Sequence, residues 1–244
     1  MKRVLLSQHS FLLGKCVVNC LHNIEKDDTM RLTCAIFDMD GTLVDSMWKW
    51  DDLGFEILRN HGREARPDFR DMTVPMGMRA AAEYCVEAYD LPCSAEDIVE
   101  EMHQCMTGFY ENDVRCKAGV EKFLAILKME GVSMYVATAS DRPLVEKALK
   151  TAGIAHYFKG IITCAEAGAG KGESPKIYEY AMKRLQGNKL NTVVFEDSWA
   201  AIRTAKAAGF RVAGIYDKSM ESHWEEIKAL ADYAYESFEE LTES

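Results

Sequence analysis

The sequence predicts an α/β protein: a Rossmann-like, doubly wound parallel sheet with an α-helical domain inserted after its first strand. Three observations carry that prediction. Short apolar runs alternate with helical periods from residue 119 onward. Each of the four helices predicted there is followed closely by a glycine. Residues 47–116 show helical periodicity and no strand.

The first strand is predicted at Thr33-Cys34-Ala35-Ile36-Phe37. An apolar run without alternation is what a strand covered on both faces requires. Beyond it, Leu53, Ile57 and Leu58, then Ala81, Cys85 and Ala88, recur at helical spacing. A helical block of this length between one strand and the rest of a sheet implies an inserted domain. The expected division is therefore a core of residues 30–46 and 117–244 with an inserted helical domain at 47–116. Later strands are predicted at Ser133–Ala137, Ile161–Thr163, Thr192–Phe195 and Arg211–Ile215. Between them helices run from about Val120 to Gly131, from Asp141-Pro143 to Gly153, from Ser174-Pro175 to Gly187, and from Ser198 to Gly209. Glycine past a helix end supplies the left-handed residue that terminates it without a Cβ clash. Strand–helix alternation with short loops implies parallel strands.

Composition narrows the function classes. The 244 residues carry a formal charge of −10, which argues against nucleic acid as a partner, because phosphate-backbone binders present basic faces. A small anionic ligand stays compatible, since a local pocket can be positive on an acidic protein. The eight cysteines are irregularly spaced, and Cys34, Cys85 and Cys164 fall inside apolar runs. Cys16 and Cys20 have no matching second pair, so zinc is not expected, and reduced thiols in a cytoplasmic protein are the expectation. Residues 1–29 begin like a leader at Lys2-Arg3, but Gln8, His9 and Ser10 interrupt the apolar run. Phe11 to Leu21 is too short and too polar to span a membrane. With Met30 just ahead of the first strand, residues 1–29 are taken as an extension outside the native start or a loosely packed, disordered arm.

In an open parallel sheet the ligand site forms at the carboxyl ends of the strands. Those positions hold Asp38 and Asp40, Thr138 and Ser140, Lys171, and Glu196 with Asp197. Singly, each has a structural use: an aspartate forms turns, and a threonine or serine caps the next helix. Together, three or more carboxylates at one sheet edge repel unless a cation neutralises them. Oxygen donors without histidine or cysteine favour a hard ion such as Mg²⁺. A carboxylate can attack phosphorus to give an aspartyl-phosphate. A lysine and a cation balance the transferring phosphoryl charge while a hydroxyl donates to one of its oxygens. A second carboxyl group can protonate the leaving oxygen and later deprotonate water. Residues two apart in an extended segment point the same way, so Asp38 and Asp40 can address one substrate.

The segment Asp38-Met39-Asp40-Gly41-Thr42-Leu43-Val44-Asp45-Ser46 resembles the first motif of the haloacid dehalogenase-like hydrolase superfamily. Val136-Ala137-Thr138-Ala139-Ser140 resembles its second motif, and Phe195-Glu196-Asp197-Ser198 with the following helix its fourth. The resemblance covers residues 32–216. It implies a Rossmann-like core, a helical cap and Mg²⁺. By position it makes Asp38 the nucleophile and Asp40 the general acid/base, with the Asp40 main-chain carbonyl on the metal. Thr138 and Ala139 would bind phosphate, and Asp197 would hold Mg²⁺ with Glu196 assisting. The third motif departs from the pattern. Its lysine is expected three residues before Pro175, where Gly172 stands. Lys171 is preferred over Lys176, because a Gly170-Lys171-Gly172 loop can absorb one residue. The same loop is not a Walker A motif, since no Ser or Thr follows the lysine.

Within that family, Asp40 selects the reaction. Dehalogenases of the family lack the second aspartate, and the phosphonate-cleaving branch has alanine there. Hydrolysis of a small phosphorylated metabolite is therefore the expected activity. A sugar-phosphate mutase of the beta-phosphoglucomutase kind is the alternative, disfavoured because Met47–Asp52 lacks the expected histidine. A catalytically idle phospho-ligand binder is the second alternative. Substrate choice is expected from the cap, through Trp48, Lys49 and Arg79. The expected assembly is a monomer or homodimer with no membrane partner.

Overall fold

Six strands form one sheet in the computed structural model, which describes residues 31–73 and 76–242. They are Cys34–Phe37 (β1), Ser133–Thr138 (β2), Phe158–Thr163 (β3), Thr192–Glu196 (β4), Arg211–Ile215 (β5) and Tyr233–Tyr235 (β6). Their order is β3-β2-β1-β4-β5-β6, and every pairing is parallel. The expectations for residues 1–29 and for Cys16 and Cys20 lie outside the described residues. The six cysteines that are described, Cys34, Cys85, Cys93, Cys105, Cys116 and Cys164, are free thiols.

The strand order reverses at β1, which has β2 on one side and β4 on the other. The carboxyl ends of β1 and β4 therefore form the topological switch point, where open α/β sheets place their ligands. Register fixes what meets there. Phe37 pairs with Val136 and with Phe195, and the Asp38 amide donates to the Phe195 carbonyl at 3.0 Å. Phe37 also stacks on Phe195, with ring centroids 4.5 Å apart. Both rings are fully buried, so Asp38 leaves a strand packed on both sides.

The chain divides into two compact units, one running to Asp45 and resuming at Arg115, the other Ser46–Val114. The second unit contains Met47–Asn60 (α1), Phe69–Thr73 (α2), Met78–Tyr89 (α3) and Ala95–Asn112 (α4). Its aromatic centre is Phe69, 4.8 Å from Phe55 and 5.8 Å from Tyr89 between ring centroids. Gly54 makes room for it, since a Cβ there would lie 2.9 Å from the Phe69 ring. Leu53, Ile57 and Leu58 are buried as expected. On α3 the buried face is Ala82, Cys85 and Tyr89, rotated from the expected Ala81, Cys85 and Ala88. The large Tyr89 ring takes the inward position, and the two alanines are half-buried.

In the first unit the helices are Val120–Met129 (α5), Arg142–Thr151 (α6), Cys164–Ala167 (α7), Lys176–Arg184 (α8), Trp199–Ala207 (α9) and Trp224–Leu230 (α10). Gly131, Gly153 and Gly209 take φ of 77°, 76° and 83° after their helices. Gly187 does not. Gln186 adopts the left-handed conformation, at φ 60°. Gly187 is needed for close approach instead: a Cβ would lie 2.7 Å from Cys34 Sγ and 2.8 Å from Thr192 Oγ1. Pro175 precedes α8 rather than opening it. Strand β3 starts three residues before the predicted Ile161, at Phe158, where Lys159 and Gly160 interrupt the apolar pattern. Strand β6 was not expected at all, being three half-buried residues at the sheet edge. No helix among the described residues is long and apolar enough to cross a membrane.

Candidate active site

The end of β1 delivers Asp38 and the end of β4 delivers Glu196 and Asp197. Lys171 arrives from the loop after β3 and α7. Its ammonium lies 2.6 Å from Asp38 Oδ2 and 2.6 Å from Glu196 Oε1. All four side chains are buried. The extra residue ahead of Pro175 is absorbed by a turn in which the Gly170 carbonyl accepts from the amides of Glu173 and Ser174, both at 3.1 Å. Thr204 Oγ1 pins the same loop through the Gly172 carbonyl at 2.9 Å. Lys176 is exposed at the start of α8.

Glu196 is saturated. Its Oε1 also accepts from Tyr178 Oη at 2.9 Å, and its Oε2 accepts from the Ser198 amide at 3.2 Å. Thr42 Oγ1 donates to Asp197 Oδ1 at 2.7 Å. Ser140 Oγ donates to Asp40 Oδ2 at 2.6 Å. Thr138 is buried at the end of β2, and its Oγ1 accepts from the Ser140 amide at 3.1 Å, which leaves the hydroxyl proton to donate elsewhere. Ala139 is exposed beside it.

Three buried carboxylates face one ammonium, and the electrostatics follow. Burial, reinforced by the Glu196 charge, raises the Asp38 carboxyl well above its ordinary range despite Lys171. Burial and Glu196 push Asp197 up to about 7. Burial alone would lower the Lys171 ammonium, but the facing Asp38 and Glu196 carboxylates hold it above its ordinary value. Asp38 Oδ1 is buried with no hydrogen-bond partner. One oxygen from each of Asp38, Glu196 and Asp197 lies within 4.8 Å of the others. An orphaned carboxylate oxygen in an oxygen-only cluster with surplus negative charge fits a hard divalent cation. The Asp40 carboxylate, which accepts from Ser140, is not part of that cluster.

The candidates from the second unit have partners within that unit. Lys49 is ion-paired with Glu56, and Arg79 with Glu83 and Glu96. Trp48 is more than half exposed and stands edge-on to Phe109, with ring centroids 5.4 Å apart. Sequence reasoning placed Ser140 at the site without a specific partner and gave no role to Thr42 or Tyr178. Thr42 stands inside the first motif, whereas Tyr178 sits on a helix face with no local signal.

A doubly wound α/β fold with acidic residues and one lysine gathered at its switch point is an arrangement suited to phosphoryl transfer. Residues 32–209 match the family model described as haloacid dehalogenase-like hydrolase, and the chain belongs to that family. Among curated proteins it is 27% identical over 194 residues to the bifunctional riboflavin kinase/FMN phosphatase of Arabidopsis thaliana, covering 78% of this chain and 50% of that one. The chain thus spans about half the length of that relative. It is 26% identical over 217 residues to hexitol phosphatase B of Escherichia coli strain K12, covering 87% and 95%. Among solved structures, one described as a putative beta-phosphoglucomutase from Thermotoga maritima superposes with a TM-score of 0.76 at 23% identity, covering 86% and 97%. That likeness carries the fold alone.

Proposed function

We propose that this protein hydrolyses a small phosphate monoester through an aspartyl-phosphate on Asp38. One observation carries the reading. Lys171 holds Asp38 Oδ2, while Asp38 Oδ1 is left without a partner at the switch point. The carboxylate stands where open sheets bind their ligands and is anchored through one oxygen only, which suits it to attack phosphorus. The names of the relatives, phosphatases from a plant and a bacterium, support the same reaction class.

In the first step Asp38 attacks phosphorus, the ester P–O bond breaks, and the Asp40 carboxyl gives its proton to the departing oxygen. Ser140, 2.6 Å from Asp40 Oδ2, orients that carboxyl. The Thr138 hydroxyl, the main chain at Ala139 and the Lys171 ammonium bind the phosphoryl oxygens. In the second step Asp40, now a carboxylate, takes a proton from water. The water oxygen bonds to phosphorus, and the bond to Asp38 breaks to release phosphate. Asp38, Asp197 and the Asp40 carbonyl would hold Mg²⁺, with Glu196 assisting through its charge and its grip on Lys171. When bound, the ion supplies positive charge against the developing phosphoryl charge. The second unit takes the role of a cap domain in this reading, with Trp48, more than half exposed, as a candidate substrate contact.

Hydrolysis of p-nitrophenyl phosphate with and without Mg²⁺, by wild type and Asp38→Asn, tests the proposal. Metal-dependent turnover lost in Asp38→Asn is expected. An inactive wild type, or undiminished turnover by the variant, would overturn it.

A further inference from the structure

We propose that Lys117 is a positioning residue that holds the turn carrying Asp40 and Thr42 in its reactive shape; this rests on the phosphatase reading above. The Lys117 ammonium donates to the Gly41 carbonyl at 2.7 Å, the Tyr216 carbonyl at 2.6 Å and the Asp217 Oδ2 at 2.9 Å. An ammonium has three protons, and here each has an acceptor. Two of the acceptors flank the end of β5, and the third lies in the turn after β1. Lys117 stands just past the point where the chain re-enters the first unit at Arg115.

Its main chain grips the same turn. The Lys117 amide donates to the Leu43 carbonyl at 3.0 Å, and Val44 forms an antiparallel bridge with Cys116. The turn is tightly wound, with Gly41 at φ 77° and the Leu43 and Val44 amides both donating to the Met39 carbonyl. Gly41 lies between Asp40 and Thr42, and the Thr42 hydroxyl binds Asp197. Rotating the peptide that follows Gly41 would swing the Thr42 hydroxyl away from Asp197 and tilt Asp40 away from Ser140. Lys117 blocks that rotation by holding the carbonyl. The other end of the clamp is firm, because Asp217 Oδ1 accepts from both the amide and the hydroxyl of Ser219, at 3.0 and 2.7 Å.

Lys117→Met keeps the length of the side chain and removes the three donors, but strands the buried Asp217 charge. Lys117→Met with Asp217→Asn removes that charge and so separates folding from positioning. In the metal-free proteins, hydrogen exchange of the Gly41–Val44 amides should be about tenfold faster in the double variant than in wild type, at a similar Tm. With Mg²⁺ and p-nitrophenyl phosphate, its kcat should fall about tenfold or more while KM stays within about twofold, as expected for displaced rather than missing catalytic groups. A folded double variant with wild-type exchange, or with wild-type kcat, overturns the proposal. An inactive wild type would instead sink the phosphatase reading, and the exchange rates would still decide on Lys117.

Discussion

Lys171 Nζ stands 2.6 Å from Asp38 Oδ2, so one oxygen of the proposed nucleophile is held while the other, Oδ1, has no hydrogen-bond partner. The same ammonium reaches Glu196 Oε1, which ties the loop after β3 to the end of β4. Glu196 in turn is held by Tyr178 and the Ser198 amide. The nucleophile is therefore oriented through a chain of buried bonds that starts in helix α8.

Replacing Lys171 by methionine should lower kcat by roughly a hundredfold or more, the size expected for losing a charged group that stabilises the transition state. The metal-free protein should also lose about 3–5 kcal/mol of stability, because the facing carboxylates are left buried and uncompensated. Steady-state kinetics and denaturant unfolding measure the two effects. Lys176→Met, on the exposed side of the same region, should change neither.

Asp40→Asn should slow turnover in a way that depends on the leaving group. An alkyl phosphate, whose departing oxygen must be protonated, should lose about 10²–10⁴ in kcat, the range for general acid–base catalysis. p-Nitrophenyl phosphate should lose distinctly less in its first step, because its leaving group departs without help. Equal losses on both esters would argue against the acid role.

Stability should depend on pH in a direction set by Asp197. Burial raises its carboxyl from 3.8 to about 7 in the metal-free fold, so between about pH 4 and 7 the folded state binds more protons than the unfolded state. Stability must then fall as pH rises through that window. Asp38, also raised chiefly by burial, adds to the same slope. Mg²⁺ bound at these carboxylates would replace those protons, so the rise in Tm on adding the ion should be larger at pH 8 than at pH 5. Thermal melts with and without Mg²⁺ check the sign.

Tyr178→Phe removes one hydroxyl from Glu196 and nothing else. The loss of a hydrogen bond to a charged group should cost about 1.5–3 kcal/mol of stability. Turnover should fall several-fold at unchanged KM, because Glu196 keeps Lys171 and the Ser198 amide. Unfolding curves and kinetics of the single variant are sufficient.

What was legible in the sequence was whatever is coded locally. The double-sided apolar runs at 34–37 and 192–195 announced buried parallel strands; Asp38 directly follows the first, and Glu196 with Asp197 follows the second. Strand β6 was invisible because Tyr233-Ala234-Tyr235 is short and half-exposed, and its strand character comes only from pairing with β5. Gly187 resembled a helix terminator, yet its role is set by Cys34 and Thr192 across the sheet. The displaced lysine was ambiguous because only the turn closed by the Gly170 carbonyl determines where Lys171 points. Tyr178 and Lys117 reach the site through bonds spanning 18 and 76 residues of sequence, and no local pattern records such partners. Lys49 and Arg79 looked available for an anion, but Glu56 on one side and Glu83 with Glu96 on the other already neutralise them.

The most direct test of the account is to trap the covalent intermediate. Turnover of a phosphate ester with Mg²⁺ is quenched into borohydride, which reduces an acyl phosphate to an alcohol, and the peptides are sequenced by mass spectrometry. The account predicts homoserine at position 38 alone, appearing only when ester and metal are both present. Steady ester hydrolysis with an unmodified Asp38, or with the label on another residue, would contradict it.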